Sequence, residues 1–227
     1  MLGRDQYQAL LDGAQITLQV SALAILWGTV AAVVLGVVSL SPFRPLRWFV
    51  RVYVEVLRGV SAIILIFWAY YALPLFGVDL SAMQAGVLAL GLNLSAYGAE
   101  IVRGAVQAVP RGQTEAALAI NLSGWQRLWS IVLPQAMVAV LPPYGNLLIE
   151  IMKSSALVSL ISMSDLTYEA QSLRQNRAAD SIDIFGATLI IYFAIALGIT
   201  GIVRLLERRF GRGLDTGRAG TAFGAAK

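Results

Sequence analysis

Glu150 and Lys153 are the residues with the most chemistry to offer, because both are ionisable groups inside a long apolar stretch. Three residues apart on a helix, they share one face. Asn146 lies one turn away from Glu150, and Ser154 follows Lys153. A charge in a membrane interior costs about 2.5–3.5 kcal/mol on insertion scales, so it faces a bundle interior or a water-filled path. An acid, a base and an amide on one face suit the two charged ends of a zwitterion. They equally suit an ion pair that ties one helix to its neighbours. Two further pairs, Glu55 with Arg58 and Glu100 with Arg103, stand near the ends of apolar runs and read as structural or coupling pairs. The chain has neither His nor Cys, which excludes disulfides, imidazole or thiolate metal sites, and His- or Cys-based catalysis. No nucleophile–base constellation is recognisable, so the chain does not read as an enzyme.

The elements that must position these residues are membrane helices. Of 227 residues 58% are apolar and only 13% charged, with mean hydropathy +0.72. A soluble domain carries roughly a quarter charged residues. Five spans of about 20 residues fit the apolar runs, at 16–40, 51–75, 81–104, 137–163 and 184–206. The first run is too long for the ~7–15-residue centre of a signal peptide and follows Asp5 and Asp12, so it reads as a retained span.

Orientation follows from Lys and Arg. Thirteen flank one side: Arg44, Arg47, Arg51, Arg58, Arg103, Arg111, Arg127, Arg204, Arg208, Arg209, Arg212, Arg218 and Lys227. Three flank the other: Arg4, Arg174 and Arg177. The excess marks the cytoplasm, which puts the N-terminus outside and the C-terminus inside. The net charge of +4 is explained by this arrangement and is no nucleic-acid signal.

Small residues recur every four positions, at Ala24, Gly28, Ala32 and Gly36, at Gly91, Ser95 and Ala99, and at Ala194 and Gly198. That spacing lets helix backbones approach closely in lipid. Pro142-Pro143, with Gly145 behind them, should kink or unwind the fourth span. Phe67, Trp68, Tyr70 and Tyr71 read as an interfacial aromatic belt, or as a cage for a cationic ring. The outer connection 164–183 is acidic and polar, and reads as a dock for a protein partner. Residues 1–210 form the membrane domain; 211–227 read as a disordered cytoplasmic tail.

The stretch 110–134 is the one soluble-looking device. Pro110 stops the third span, and Thr114 can cap a short helix with Glu115 in its first turn. Asn121 is a plausible stop, since Asn tolerates the left-handed conformation that follows a helix. Ser123 and Gln126 fit a capping box for a second helix. Trp125, Leu128, Trp129, Val132 and Leu133 would form its apolar face, with Pro134 turning into the fourth span. Such a pair is either a lever for a cytoplasmic partner or an interfacial helix at the headgroups.

Glu115-Ala116-Ala117, then Asn121, then Ile131-x-Leu133-Pro134 resembles the EAA loop of binding-protein-dependent ABC importer permeases. Asn121 stands where that family usually has Gly. Tyr53-x-Glu55-x-x-Arg58-Gly59, Ala96-Tyr97-x-Ala99-Glu100-x-x-Arg103-Gly104, Gln113 and Lys153-Ser154-Ser155-Ala156-Leu157 look like the polar amino acid uptake permeases. Where those commonly read Thr-Pro-Leu after Arg-Gly, this chain has Val60, Ser61 and Ala62. The stretches Phe67-Trp68 to Leu73-Pro74-Leu75-Phe76-Gly77, Leu88 to Asn93 and Ala119-Ile120-Asn121 look most like the permease subunit of ectoine and hydroxyectoine importers.

The resemblance implies an all-α membrane protein with the five-helix, MetI-like fold of type I ABC importers, multi-pass in the bacterial cytoplasmic membrane. It implies a second related permease, separate ABC ATPase subunits that hold ATP and Mg, and an extracytoplasmic solute-binding protein. It assigns motor coupling to Glu115, Ala116, Ala117, Asn121, Ile131, Leu133 and Pro134. Asn146, Glu150, Lys153 and Ser154 are the candidate solute path. The chain itself lacks a Gly-x4-Gly-Lys-[Ser/Thr] loop, and its only lysines are Lys153 and Lys227. Any ATP hydrolysis therefore belongs to another chain. The competing reading is an autonomous channel or secondary transporter with Glu150 and Lys153 as its ion path.

Overall fold

A computed structural model of the chain describes residues 3–176 and 180–211. Helices α1 (Arg4–Val38), α4 (Ala82–Gln107) and α9 (Ser181–Gly211) are long and apolar enough to span a membrane. So is the run Gly124–Ile161, which contains α6 (Gly124–Arg127) and α7 (Leu133–Ser154). The remaining span is broken. Helix α2 (Arg44–Gly59) meets α3 (Ala62–Phe67) and its continuation to Phe76 at 101°. Two short helices, α5 (Arg111–Ala119) and α8 (Leu166–Asn176), fill connections. The expected disordered tail at 211–227 lies outside the described residues apart from the helical Gly211.

Helices α1 and α4 form the centre because small residues let them touch. Ala24, Gly28, Ala32 and Gly36 are all buried, as are Gly91, Ser95 and Ala99. A Cβ at Gly28 would sit 2.9 Å from the Gly91 carbonyl oxygen, and one at Gly91 would sit 2.1 Å from the Trp27 indole. Trp27 uses that proximity to donate its Nε1–H to the Val87 carbonyl at 3.1 Å. The Tyr144 hydroxyl donates to Thr29 Oγ1 at 2.9 Å, which ties α7 to α1. The same spacing does not serve α9. Ala194 and Gly198 are exposed, and a Cβ at Gly198 would meet nothing within 4 Å. Leu189, Ile190, Phe193 and Leu197 are exposed alongside them, so that side of α9 is not a packing seam within this chain.

Several sequence expectations need correction. The helix that carries the first apolar run begins at Arg4, ahead of the expected span at 16–40, and Leu10 and Ala14 of that extension are buried with Leu166, Ala170 and Ile184. Its 35 residues extend about 52 Å, far more than the hydrocarbon core requires. The second span is two helices. Val60 takes an extended conformation (φ −100°, ψ 135°) and Ser61 begins the next helix. Pro142 and Pro143 do not unwind α7, which stays helical through both. Both lie on its exposed side, and carbonyls that lose an amide partner there need not be buried.

Pro134 does not turn the chain either. A π-helical turn, Leu128–Val132, precedes Leu133-Pro134 and carries the helix onward. The same device, Trp68–Ala72, precedes Leu73-Pro74. A proline ring crowds the carbonyl four residues back, and the wider turn gives it room.

The connection after Ile161 is built around Asp165. Its Oδ1 accepts from the Tyr168 amide at 3.0 Å and its Oδ2 from the Thr167 amide at 3.2 Å, capping α8. Thr17 Oγ1 accepts from the Leu166 amide at 3.1 Å, and the Thr167 and Tyr192 hydroxyls are 2.8 Å apart. Three helices therefore meet at a carboxyl with no solvent exposure. Burial pushes it up to about 6, against the lowering effect of those hydrogen bonds. A carboxyl raised in the folded state binds more protons folded than unfolded. Its contribution to stability is present at low pH and lost as pH rises from 3.8 to about 6. The expected result is that wild type loses melting temperature relative to Asp165→Asn across that window in detergent. A constant difference between the two would refute the assignment.

Candidate functional site

The short helix of the 110–134 stretch starts earlier than a cap at Thr114 would place it. Helix α5 begins at Arg111 with Pro110 before it, so Thr114 lies inside the helix and caps nothing. Pro110 lacks an amide hydrogen and fixes φ at −57°, so it presets the entry into the helix without a side-chain cap. The end is as expected. Asn121 has φ +58°, its amide bonds the Leu118 carbonyl at 2.9 Å, and the Leu122 amide bonds the Ala117 carbonyl at 3.0 Å. This is a Schellman motif with Asn in the left-handed position. Ser123 and Gln126 then form both halves of a capping box.

The result is a two-faced helix. Ala117 is 1% exposed, whereas Glu115 and Ala116 are exposed. Gln135 Nε2 donates to Gln113 Oε1 at 3.4 Å, linking α5 to the start of α7. Ile131, Leu133 and Pro134 are half-buried behind it. The apolar face expected of the second helix is only partly covered. Leu128, Val132 and Leu133 are half-buried, while Trp125 and Trp129 stand exposed with ring centroids 5.4 Å apart. Leu118 and Ile120 are exposed as well, so the 110–134 stretch carries several open apolar side chains beside Glu115 and Ala116 in the sequence.

On α7, Asn146, Glu150 and Lys153 are exposed and Ser154 half-buried. Pro142 and Pro143 extend the same exposed side, while Tyr144, Leu147 and Ile151 face the core. Among the described residues neither Glu150 nor Lys153 makes an ion pair, so the pair does not lock helices within this chain. Charges left open in a span are stable against a water-filled path or a neighbouring subunit, and not against lipid.

A second cluster joins the broken span to α4. Tyr53 and Ser95 share a 2.7 Å hydroxyl hydrogen bond, and the Tyr97 hydroxyl donates to the Arg58 carbonyl at 3.2 Å. The Arg58 guanidinium lies over the Tyr97 ring, 5.2 Å from its centroid. Arg103 and Glu100 form an ion pair, and Arg103 also donates to Gln107 Oε1 at 2.7 Å. The expected Glu55–Arg58 pair is not made, because Arg58 is drawn to Tyr97 instead. Tyr97 is ten residues before Gln107, about 15 Å along α4. Arg58 therefore lies well along the span of α4 rather than beside its end. Sequence reasoning names these residues in motifs but not as one site. The available signal is Arg58-Gly59 followed by Val60-Ser61, where a glycine and a β-branched residue interrupt an apolar run.

Of the aromatics, Phe67 and Tyr70 pack on the core while Trp68 and Tyr71 are exposed. Tyr71 meets Phe67 and Tyr70 edge-on, at 5.9 and 4.9 Å.

The sequence pattern of the family of binding-protein-dependent transport system inner membrane components matches residues 24–212. The chain belongs to that family. The permease is therefore a non-catalytic inner membrane component of such a system. It is 44% identical over 201 residues to the probable amino-acid ABC transporter permease protein y4tF of Sinorhizobium fredii, covering 86% of this chain and 84% of that one. It is 32% identical to the probable amino-acid ABC transporter permease protein YckA of Bacillus subtilis, covering 92% of each. Among solved structures, an amino acid ABC transporter crystallised with histidines superposes with TM-score 0.82. That match is at 32% identity and covers 89% of the permease and 94% of that chain. The MetNI methionine transporter, at 20% identity and TM-score 0.76, shows the same fold, with 93% of the permease and all of that chain covered. The permease thus has the MetI-like, all-helical fold and sits among amino-acid ABC transporter permeases.

Proposed function

We propose that the permease carries an amino acid or an amino-acid-like solute inward, driven by ATPase subunits that hold ATP and Mg in separate chains. A binding protein delivers the solute at the outer face, and a second permease completes the path. The observation that carries this reading is the α5 surface. Glu115 and Ala116 are presented outward while Ala117 anchors the helix, and a helix so held can pass a push to α7. The excess of Arg and Lys on that side supports N-terminus outside and C-terminus inside. Helix α8, capped by buried Asp165, then belongs to the outer face as the dock for the binding protein.

Asn146, Glu150 and Lys153 line the solute path, because their open charges need water or a partner subunit beside them. Glu150→Gln and Lys153→Met are each expected to lower uptake and solute-stimulated ATPase about tenfold or more, at unchanged membrane levels. Normal values in both variants would remove these residues from the path.

For the solute itself, ectoine or hydroxyectoine is the specific candidate. It rests on the resemblance of 67–77 and 88–93, and on Val60-Ser61-Ala62 at the break in the second span. Reconstituted transporter with its cognate binding protein is expected to take up labelled ectoine in preference to glutamine or arginine. The opposite order would assign it an ordinary amino acid. Uptake by the permease alone, with no ATPase, would instead support an autonomous transporter.

A further inference from the structure

The arginines of α2 form a stripe that the chain leaves open. Arg44, Arg47 and Arg51 recur at i, i+3 and i+7, so they line one side of the helix. Buried Val50 and Val54 mark the side packed inward. Trp48, Val52 and Val56 are exposed on the other flank. A cavity of about 620 Å³ lies against the stripe, with Trp48, Val50, Val54 and Glu55 in its α2 wall, closed by the end of α1 and by α4. Glu100, at its α4 wall, is taken up by Arg103. Among the described residues Arg44, Arg47 and Arg51 have no carboxylate within ion-pairing distance.

We propose that this seam holds the phosphate of an anionic phospholipid, with an acyl chain along Trp48, Val52 and Val56. Guanidinium forks match phosphate oxygens in geometry as well as charge. Phe43, the N-cap of α2, gives no side-chain cap and Pro45 has no amide hydrogen, which leaves the amides of Arg44 and Leu46 open toward an anion. The three arginines lie within seven residues of one another, about 10 Å of helix, so their long side chains can reach one headgroup layer. Trp48 suits that depth, where its ring meets the acyl boundary and its N–H meets water. A zwitterionic headgroup would set its ammonium among the guanidiniums, so the seam selects a net negative lipid. Trp48, Val52 and Val56 beside the stripe offer an acyl chain an exposed apolar track, with Glu55 as the acid on this side of α2. The deeper residues Glu55 and Arg58 take no part in the proposal.

The test uses the permease assembled with its ATPase subunits. Native mass spectrometry follows retention when equal amounts of phosphatidylglycerol and phosphatidylcholine are offered. Each basic side chain near an anionic surface contributes roughly fivefold, so three give a preference on the order of a hundredfold. The triple variant Arg44→Gln, Arg47→Gln, Arg51→Gln is expected to lose it, and Arg208→Gln with Arg209→Gln to keep it. Equal retention of the two lipids by wild type would overturn the proposal, as would a preference that the triple variant preserves. Displacement by millimolar inorganic phosphate would assign the seam to the free anion instead. A preference seen in the free permease but lost on assembly would assign it to a protein. If the triple variant fails to insert, Arg47→Gln and Trp48→Ala are expected to give partial losses. No change in either would count against the site.

Discussion

Glu115→Lys is expected to abolish solute uptake while leaving the permease folded in the membrane. Glu115 is exposed on α5 and makes no ion pair among the described residues, so the fold does not depend on it. Surface changes of this kind shift stability by about 0.5 kcal/mol or less. The effect on transport comes from the partner side. If α5 is the motor contact proposed above, reversing the charge at Glu115 puts like charge or an unpaired group into a contact that closes in each cycle. Desolvating an unpaired charge costs several kcal/mol, which is more than a hundredfold in binding. Uptake and ATPase binding are therefore expected to fall together, with melting temperature unchanged. Uptake within about twofold of wild type, a change under ~0.5 kcal/mol, would show that this face meets no motor.

Gly28→Leu has the largest expected effect on the fold. Its first added carbon would sit 2.9 Å from the Gly91 carbonyl oxygen and 3.0 Å from Leu94 Cδ2. Backbone cannot yield there without separating α1 from α4, and the rest of the side chain has nowhere to go. Overpacking costs about 1–3 kcal/mol where neighbours can move and more where they cannot, against a total of roughly 5–15 kcal/mol. The variant is expected to be degraded or to lose its melting transition in detergent. Gly28→Ala should show a graded loss. Gly198→Leu, where nothing lies within 4 Å, should be tolerated by the isolated chain. Equal tolerance at both positions would contradict the α1–α4 packing.

These cases also show which features a sequence can disclose. Local hydrogen-bond chemistry is legible in it. Asn121 is expected to stop a helix and does so at φ +58°, and Ser123 with Gln126 forms the expected capping box. Small residues disclose the α1–α4 seam, yet the same spacing in α9 faces outward, because spacing cannot say whether a partner helix exists in the same chain. The readings of Pro134 as a turn and of Pro142-Pro143 as unwinding the helix fail for a related reason. Pro134 and Pro142-Pro143 break a helix only if the lost hydrogen bonds go unaccommodated, and here a π turn and an exposed face absorb them. Arg58 reads as an interfacial side chain because neither the 101° break beside it nor its long-range contact with Tyr97 is written in local spacing. The open face of Glu150 and Lys153 is invisible for a deeper reason. Whether two charges pair within a chain or look outward depends on rotamers and neighbours that three-residue spacing leaves undetermined.

The mechanism turns on where α5 points. The chain contains no cysteine, so Ala116→Cys supplies a single thiol on the exposed side of that helix. Bifunctional thiol reagents can then probe it against ATPase subunits carrying cysteines around their cleft. The expected result is a permease–ATPase crosslink whose yield changes when ATP binds. Labelling of the introduced thiol from outside intact cells by an impermeant maleimide, or no crosslink in a variant that still transports, would contradict it.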